Sequence, residues 1–244
     1  MFVSETAYDT FMGRYSTRLA SVFADFAGVA AGQHVLDVGA GTGALTAELV
    51  RRGAETAAGE PSAAFVDALR RRFPDVDARE TGAEDLPWAD ASFDAALAQL
   101  VVAFMTDAPV GVAEMHRVVR PGGIVAVCMW DSTGMDMLAA IDRTRTALGD
   151  EREGTLPYRT RDEIEGLFGV GSETALLEVE AGYEDFDDFW GALLGGAGPA
   201  GVWAASLDDE QRKEARAEMH RQLGEPDGAF ALVGRAWAVK STRA

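Results

Sequence analysis

The residues best placed to do chemistry lie in Val35-Leu-Asp-Val-Gly-Ala-Gly-Thr-Gly-Ala44, where a short apolar run meets glycines and then a helix-forming stretch. Gly39 and Gly41 permit backbone dihedrals closed to other residues, and they let a ligand approach the main chain beside a helix amino terminus. Two ligand chemistries fit this spacing. As Gly39-x-Gly41-x-x-Ala44, with Glu60 about twenty residues on as an acceptor for ribose hydroxyls, the segment satisfies a dinucleotide fingerprint. Asp37, two residues before the first glycine, instead favours a ligand with cationic groups over a pyrophosphate.

Other reactive side chains are sparse. His34 opens the first apolar run, His116 lies in a helical stretch before Pro121, and His220 lies in a charged helical stretch, so no general base is assigned and the catalytic residue is unknown. Cys128 sits in the apolar run Ile124 to Trp130 and reads as a buried inert thiol; with no partner cysteine and no His pair at ligand spacing, no metal site is expected. Trp130, Phe186, Phe189, Trp190 and Trp203 are the aromatic residues available either to wall an apolar pocket or to fill a core.

These residues need a scaffold, and the hydrophobic pattern supplies one. Helical spacing covers Ala7 to Met12 and Ser16 to Ala30. Strand-like runs at 34–38, 55–60, 76–81, 93–100 and 124–130 then alternate with helical stretches at 44–52, 62–73 and 109–120. Such alternation predicts an α/β fold with a mostly parallel sheet covered on both faces. Further on, helices are expected over 135–148 and 161–168, and strands over 174–183 and 230–240. A segment at 184–228 between those strands, with its own charged helix over 208–223, is read as an insertion in a single domain spanning 1–244.

Taken together, these motifs resemble the class I S-adenosylmethionine-dependent methyltransferases, small-molecule type. Their donor carries an ammonium and a sulfonium and no phosphate. Val35 to Ala44 is similar to the family's first motif, Glu60-Pro61-Ser62 to its acidic second-strand end, and Ala83 to Asp94 to its adenine-side loop and fourth strand. Glu114 to Gly123 is similar to its helix before strand five. The four motifs occur in order across roughly residues 30 to 131, and Tyr8 to Ser16 is similar to the lid of a bacterial subgroup.

The resemblance implies a three-layer Rossmann-like fold with seven strands, an antiparallel last strand and a helical lid over residues 1–30. It implies that Gly39, Ala40 and Gly41 line the methionine portion of S-adenosylmethionine, and that Asp37 orients the loop or meets the ammonium through water. Glu60, followed by Pro61, would take the ribose diol, and Ala83 and Glu84 would meet the adenine through backbone or side chain. Gln99 would lie near the methionine, and Tyr8 and Arg14, with Tyr15, would reach the cofactor carboxylate. Many relatives place an Asp just before the Ala-Glu pair, where this chain has Gly82, which leaves Glu84 or Asp85 as substitutes.

Composition narrows the acceptor. The 244 residues include 22 Lys plus Arg against 40 Asp plus Glu, a formal charge of -18, so nucleic acid and anionic membrane surfaces are not expected partners. The acids Glu184, Asp185, Asp187, Asp188, Asp208, Asp209 and Glu210 lean against polyanionic acceptors. A start lacking a basic region and an apolar run, a longest apolar stretch interrupted at Gln99, and a lone cysteine are read as cytoplasmic. The expected activity is methyl transfer to a small, fairly apolar molecule by a monomer or homodimer. The alternatives are an NAD-dependent oxidoreductase and a cyclase or scaffold that binds S-adenosylmethionine without transferring methyl.

Overall fold

The computed structural model describes residues 10–131, 134–150, 156–195 and 198–244; Tyr8 and the start of the expected Ala7 to Met12 helix lie outside them. Helix α1 (Gly13–Ala27) buries Leu19, Ala20, Phe23 and Ala24, residues recurring at helical spacing along one face. Strand β1 (His34–Val38) leads through the glycines into α2 (Ala44–Arg51). Then follow β2 (Glu55–Glu60), α3 (Ala63–Arg72), β3 (Asp77–Glu80) and β4 (Phe93–Gln99). A single 3₁₀ turn (Val102–Phe104) precedes α4 (Ala108–Val118), whose first turn is capped by the Asp107 carboxylate accepting from the Val110 amide.

The seven strands form one sheet in the order β3-β2-β1-β4-β5-β7-β6. Strands β1 to β4 and the following β5 (Val119–Trp130) pair in parallel, whereas β7 (Phe230–Thr242) runs antiparallel to β5. This is the mostly parallel α/β sheet that the pattern predicts, with the antiparallel last strand that the resemblance implies. The order reverses between β1 and β4. Ligands of open α/β sheets bind beyond the strand carboxyl ends at such a switch point.

The largest boundary difference from expectation lies at the start of β5. The helix expected to run to Arg120 stops at Val118, and β5 begins at Val119 rather than Ile124. The reason is a register shift: Phe93 pairs with Val119, then Ala95 pairs with Ile124, so the Pro121-Gly-Gly123 stretch bulges within a strand instead of separating two elements.

Beyond β5 lie α5 (Asp136–Ala147), α6 (Arg161–Glu165), β6 (Glu173–Tyr183), α7 (Phe186–Leu194), α8 (Gly198–Ser206) and α9 (Asp209–Gln222). The described residues fall in two compact units, one drawn from 17–131, 156–177 and 236–244 and the other from 10–16, 134–150, 178–195 and 198–235. The first has a core in which Leu36, Val38, Ala96, Ala98, Val125 and Val127 from the sheet meet Val112, Met115 and Val118 of α4. In the second, Asp208 and Gln211 form a capping box on α9, Arg143 of α5 donates to Gln222 at 2.8 Å, and Phe186 stacks with both Phe189 and Trp190. No helix among the described residues is long and apolar enough to cross a membrane.

Candidate functional site

At the carboxyl end of β1 the chain must leave the sheet and start α2 within six residues, and its first acceptor comes from the strand itself. Asp37 is 1% exposed, and its carboxylate accepts from the Thr46 hydroxyl at 2.6 Å and from the Thr46 amide. Gly43, the residue at the start of α2, makes no side-chain cap. Asp37 therefore satisfies an otherwise orphan amide of the first helical turn from outside the helix and closes the glycine loop. Burial pushes the Asp37 carboxyl up to about 7; the Thr46 bonds oppose this and the Glu60 charge adds to it.

The loop between them is fixed on three sides. The Gly39 and Ala40 amides donate to the Gly59 carbonyl at 2.8 and 3.1 Å, joining the loop to the end of β2. Gly39 adopts φ +73°, and a Cβ there would lie 2.4 Å from Val101. Gly43 adopts φ +89°, with Phe73 and Leu69 at 2.7 and 2.9 Å from a Cβ. Gly41 differs: its φ is +54°, but nothing lies within 4 Å of the Cβ position. The loop is thus packed at both ends and open in the middle, where a ligand can approach the main chain.

Glu60 borders that opening. It is 7% exposed, its two oxygens accept from the Gly41 and Ser62 amides at 2.9 Å each, and desolvation raises its pKa against those two bonds. A carboxylate has about four lone-pair sites, so two remain to accept from a vicinal diol. Pro61 is exposed beside it, whereas Ala40 turns its methyl into a cluster with Val66 and Leu69.

The adenine-side candidates lie one strand further out. Ala83 is buried, and Glu84 Oε1 accepts from the Thr106 and Asp107 amides at 2.7 and 3.1 Å. Gln99 ends β4, half-buried and paired with Cys128. Leu100, which follows it, adopts φ +62°, an uncommon conformation for a bulky residue that bends the chain sharply away from the sheet. Phe104 stands 48% exposed just beyond.

Arg14, described within its own compact unit, is held by neighbours there. Its guanidinium donates to both Asp188 oxygens at 2.6 and 2.7 Å and to the Gly182 carbonyl at 3.1 Å, and it lies 4.9 Å over the Tyr183 ring. Tyr15 is fully buried and accepts from the Tyr183 hydroxyl at 3.2 Å. Tyr8 lies outside the described residues.

The histidines are occupied with packing. His34 Nδ1 meets the Ser92 carbonyl at 2.8 Å, His116 lies against Ser241 and the Phe168 ring with its pKa lowered by burial, and His220 Nε2 meets the Pro226 carbonyl at 3.0 Å. Burial pushes the Cys128 thiol up, away from thiolate chemistry. Trp130, Phe186, Phe189, Trp190 and Trp203 are all buried. Among the described residues no trio of His, Cys, Asp or Glu is placed to hold a metal ion.

Two contributors carried no signal in sequence. Thr46 reads as an ordinary helix residue, and Arg72, which donates to the Thr42 carbonyl at 3.1 Å, sits in an arginine run that reads as a solvated helix end.

Comparison with known proteins bears on the fold and the family. Residues 36–127 match a family model described as a methyltransferase domain. Over 210 residues the chain is 28% identical to an uncharacterized protein of Mycobacterium tuberculosis (strain ATCC 25618 / H37Rv), covering 78% of this chain and 77% of that one. Over 101 residues it is 41% identical to a demethylmenaquinone methyltransferase of Mycobacterium sp. (strain KMS), covering 41% of this chain and 43% of the relative. A putative type II methyltransferase from Anaeromyxobacter dehalogenans shares the fold at a TM-score of 0.66 and 22% identity, covering 94% of this chain and 95% of that one.

Two stability predictions follow from the loop. A raised folded-state pKa stabilises fully below the unfolded value and is lost as pH rises through the folded one. Asp37 therefore favours the fold most near pH 4 and loses on the order of a few kcal/mol by pH 7. The melting temperature of wild type minus that of Asp37→Asn should fall as pH rises from about 4 to about 8; a constant difference overturns the assignment. Gly39→Ala should cost about 2 to 4 kcal/mol in chemical denaturation, combining left-handed strain with overpacking against Val101.

Proposed function

We propose, from the match of residues 36–127 to a methyltransferase domain, that this chain is a class I S-adenosylmethionine-dependent methyltransferase and transfers the methyl group of that cofactor to a small, fairly apolar acceptor. The observation that carries the cofactor reading is the loop itself. It is rigid at Gly39 and Gly43, open at Gly41, and bordered by a buried carboxylate with acceptor capacity left for two hydroxyls. Those features fit the group. Glu60 would take the ribose diol, the Gly39 to Gly41 main chain would face the methionine portion, and Asp37 holds the loop in shape while leaving a carboxylate near a cationic ligand. Gln99 would lie near the methionine, and Ala83 and Glu84 near the base.

Bound there, the cofactor supplies an electrophilic methyl: the acceptor's lone pair forms the new bond as the carbon–sulfur bond breaks, and its electron pair stays on sulfur as a neutral thioether. With a good leaving group, holding the two reactants in line supplies much of the rate. No histidine among the described residues stands at the carboxyl ends of β1, β2, β3, β4 or β5 to take a proton. That arrangement suits an acceptor atom that arrives with its lone pair available, with catalysis by positioning rather than by a base. Apolar character at the acceptor side is supported by Leu100, Val101 and the half-exposed Phe104 at the exit of β4.

Calorimetric titration with S-adenosylhomocysteine tests the reading. Saturable binding is expected, whereas thermal stabilisation by NADH and not by S-adenosylhomocysteine overturns it in favour of a nicotinamide enzyme. Glu60→Ala should weaken that binding by about 1.5 to 3 kcal/mol, the range for hydrogen bonds to a charged group. Unchanged affinity in the folded variant removes the ribose role. Gly41→Ala should cost only about 1 to 2 kcal/mol, the left-handed strain without the overpacking of Gly39→Ala, and should lose far more in cofactor binding than in stability, because the open space its methyl enters is the ligand's.

A further inference from the structure

We propose that the turn after β4 is the acceptor-recognition element of this chain: Phe104 meets an apolar, ring-bearing acceptor, and Val101, seated on Gly39, is the positioning residue through which an occupied glycine loop fixes Phe104 in place. The inference rests on the cofactor reading above and deepens it, naming the acceptor contact and its coupling to the cofactor.

The turn begins at a strained residue. The Leu100 amide still donates to the Cys128 carbonyl of β5 at 2.9 Å, as a strand residue would, yet Leu100 adopts φ +62°, where a bulky side chain crowds its own backbone. The chain therefore breaks away from the sheet within one residue. Strain of this kind persists where the surroundings fix it, and here it sets the place of the residue that follows. A Cβ on Gly39 would collide with Val101 Cγ2, so the valine fills the side-chain space of the loop's first glycine.

From Val101 a single 3₁₀ turn (Val102–Phe104) follows, closed by the Phe104 amide donating to the Val101 carbonyl at 2.8 Å. Side chains three apart in such a turn eclipse one another, so the segment has two rows. Val102, fully buried, and Met105 pack into the core with α4, where a Cβ on Gly111 would lie 2.8 Å from the Met105 sulfur. Val101 and Phe104 form the other row. One end of that row touches Gly39, and the other is a phenyl ring 48% exposed. Beyond it the segment is tied down again, since the Thr106 and Asp107 amides donate to Glu84 Oε1.

A turn pinned at both ends meets the glycine loop through one side chain, Val101. A ligand at Gly41, two residues from Gly39, immobilises the loop and with it the seat of Val101. Phe104 is then held before the acceptor arrives. A ring already ordered loses less freedom when a second ligand packs on it, so cofactor and acceptor bind with positive coupling. Phenylalanine offers that second ligand no hydrogen bond and a ring face, which suits offset stacking against another ring.

Calorimetry on the full chain tests both assignments, with 2-naphthol as the ring-bearing probe and S-adenosylhomocysteine as the cofactor probe. Wild type should bind 2-naphthol about fivefold or more tightly when saturated with S-adenosylhomocysteine than without it. Phe104→Ala should weaken 2-naphthol by about tenfold in the loaded protein, with little change in melting temperature because the ring is half-exposed. Val101→Ala should bind both probes less tightly and lose the dependence of one on the other. Val101→Thr, which keeps the branched shape, should restore that dependence. Equal 2-naphthol affinity with and without S-adenosylhomocysteine in wild type overturns the coupling, and a Val101→Ala variant that keeps the dependence overturns the role of Val101. Loaded wild type that does not bind 2-naphthol, or Phe104→Ala that binds it as wild type does, overturns the assignment of Phe104. Wild type that does not bind S-adenosylhomocysteine would instead remove the cofactor reading on which the inference stands.

Discussion

A single buried carboxylate sets the shape of everything proposed for this chain. Asp37 closes a nine-residue span by accepting from Thr46, and it does so where desolvation disfavours its charge. The fold bears that cost because the alternative is worse: α2 begins at a glycine with no capping side chain, and an unsatisfied first-turn amide would be buried beside the sheet. Once strand end and helix start are pinned together, the residues between them must turn within a fixed span. Gly39, Gly41 and Gly43 at positive φ are the consequence.

The clasp gives the loop its span, and the surrounding elements give it its rigidity. Leu69, Arg72 and Phe73 at the end of α3 back the loop at Thr42 and Gly43, while Val101 from the exit of β4 blocks it at Gly39. Gly41 is left as the position without a neighbour, and the Glu60 carboxylate reaches its amide. The candidate site is therefore an opening defined by what packs around it. Preorganisation of this kind lets binding proceed without ordering the loop at the same moment.

The legibility of the sequence followed the range of the interactions. Strands β1 to β5 and the glycine loop were readable because they rest on local runs and on backbone conformations available to one residue type. The start of β5 was not, because Pro121-Gly-Gly reads locally as a terminator, and the register that absorbs it is set by β4. Asp37 was readable as a residue of consequence but not as the partner of Thr46. The place of Arg14 depends on Asp188, 174 residues away, and no local pattern reports such a pair. Likewise Glu84 and Asp85 are equivalent as letters; the Thr106 and Asp107 amides distinguish them.

The acidity of the chain takes on a different meaning at this level. Several acids of the 184–228 segment that weighed against polyanionic acceptors have local structural tasks. Asp185 caps α7, Asp208 caps α9, Asp188 grips Arg14 with its pKa lowered by that cation, and Asp187 pairs with Arg216. Carboxylates at helix starts answer the orphan amides and the positive end of the dipole, and one engaged with an arginine projects little net field. A formal charge of -18 disfavours polyanions in general, and under the proposed function a preference for a cationic ligand would come from carboxylates that the fold holds in low dielectric. In the sheet-bearing unit Asp37 and Glu60 are buried at strand ends with raised pKa values, and Asp131 is buried just beyond β5; under the proposed function, ligand choice would rest on such carboxylates rather than on the whole surface.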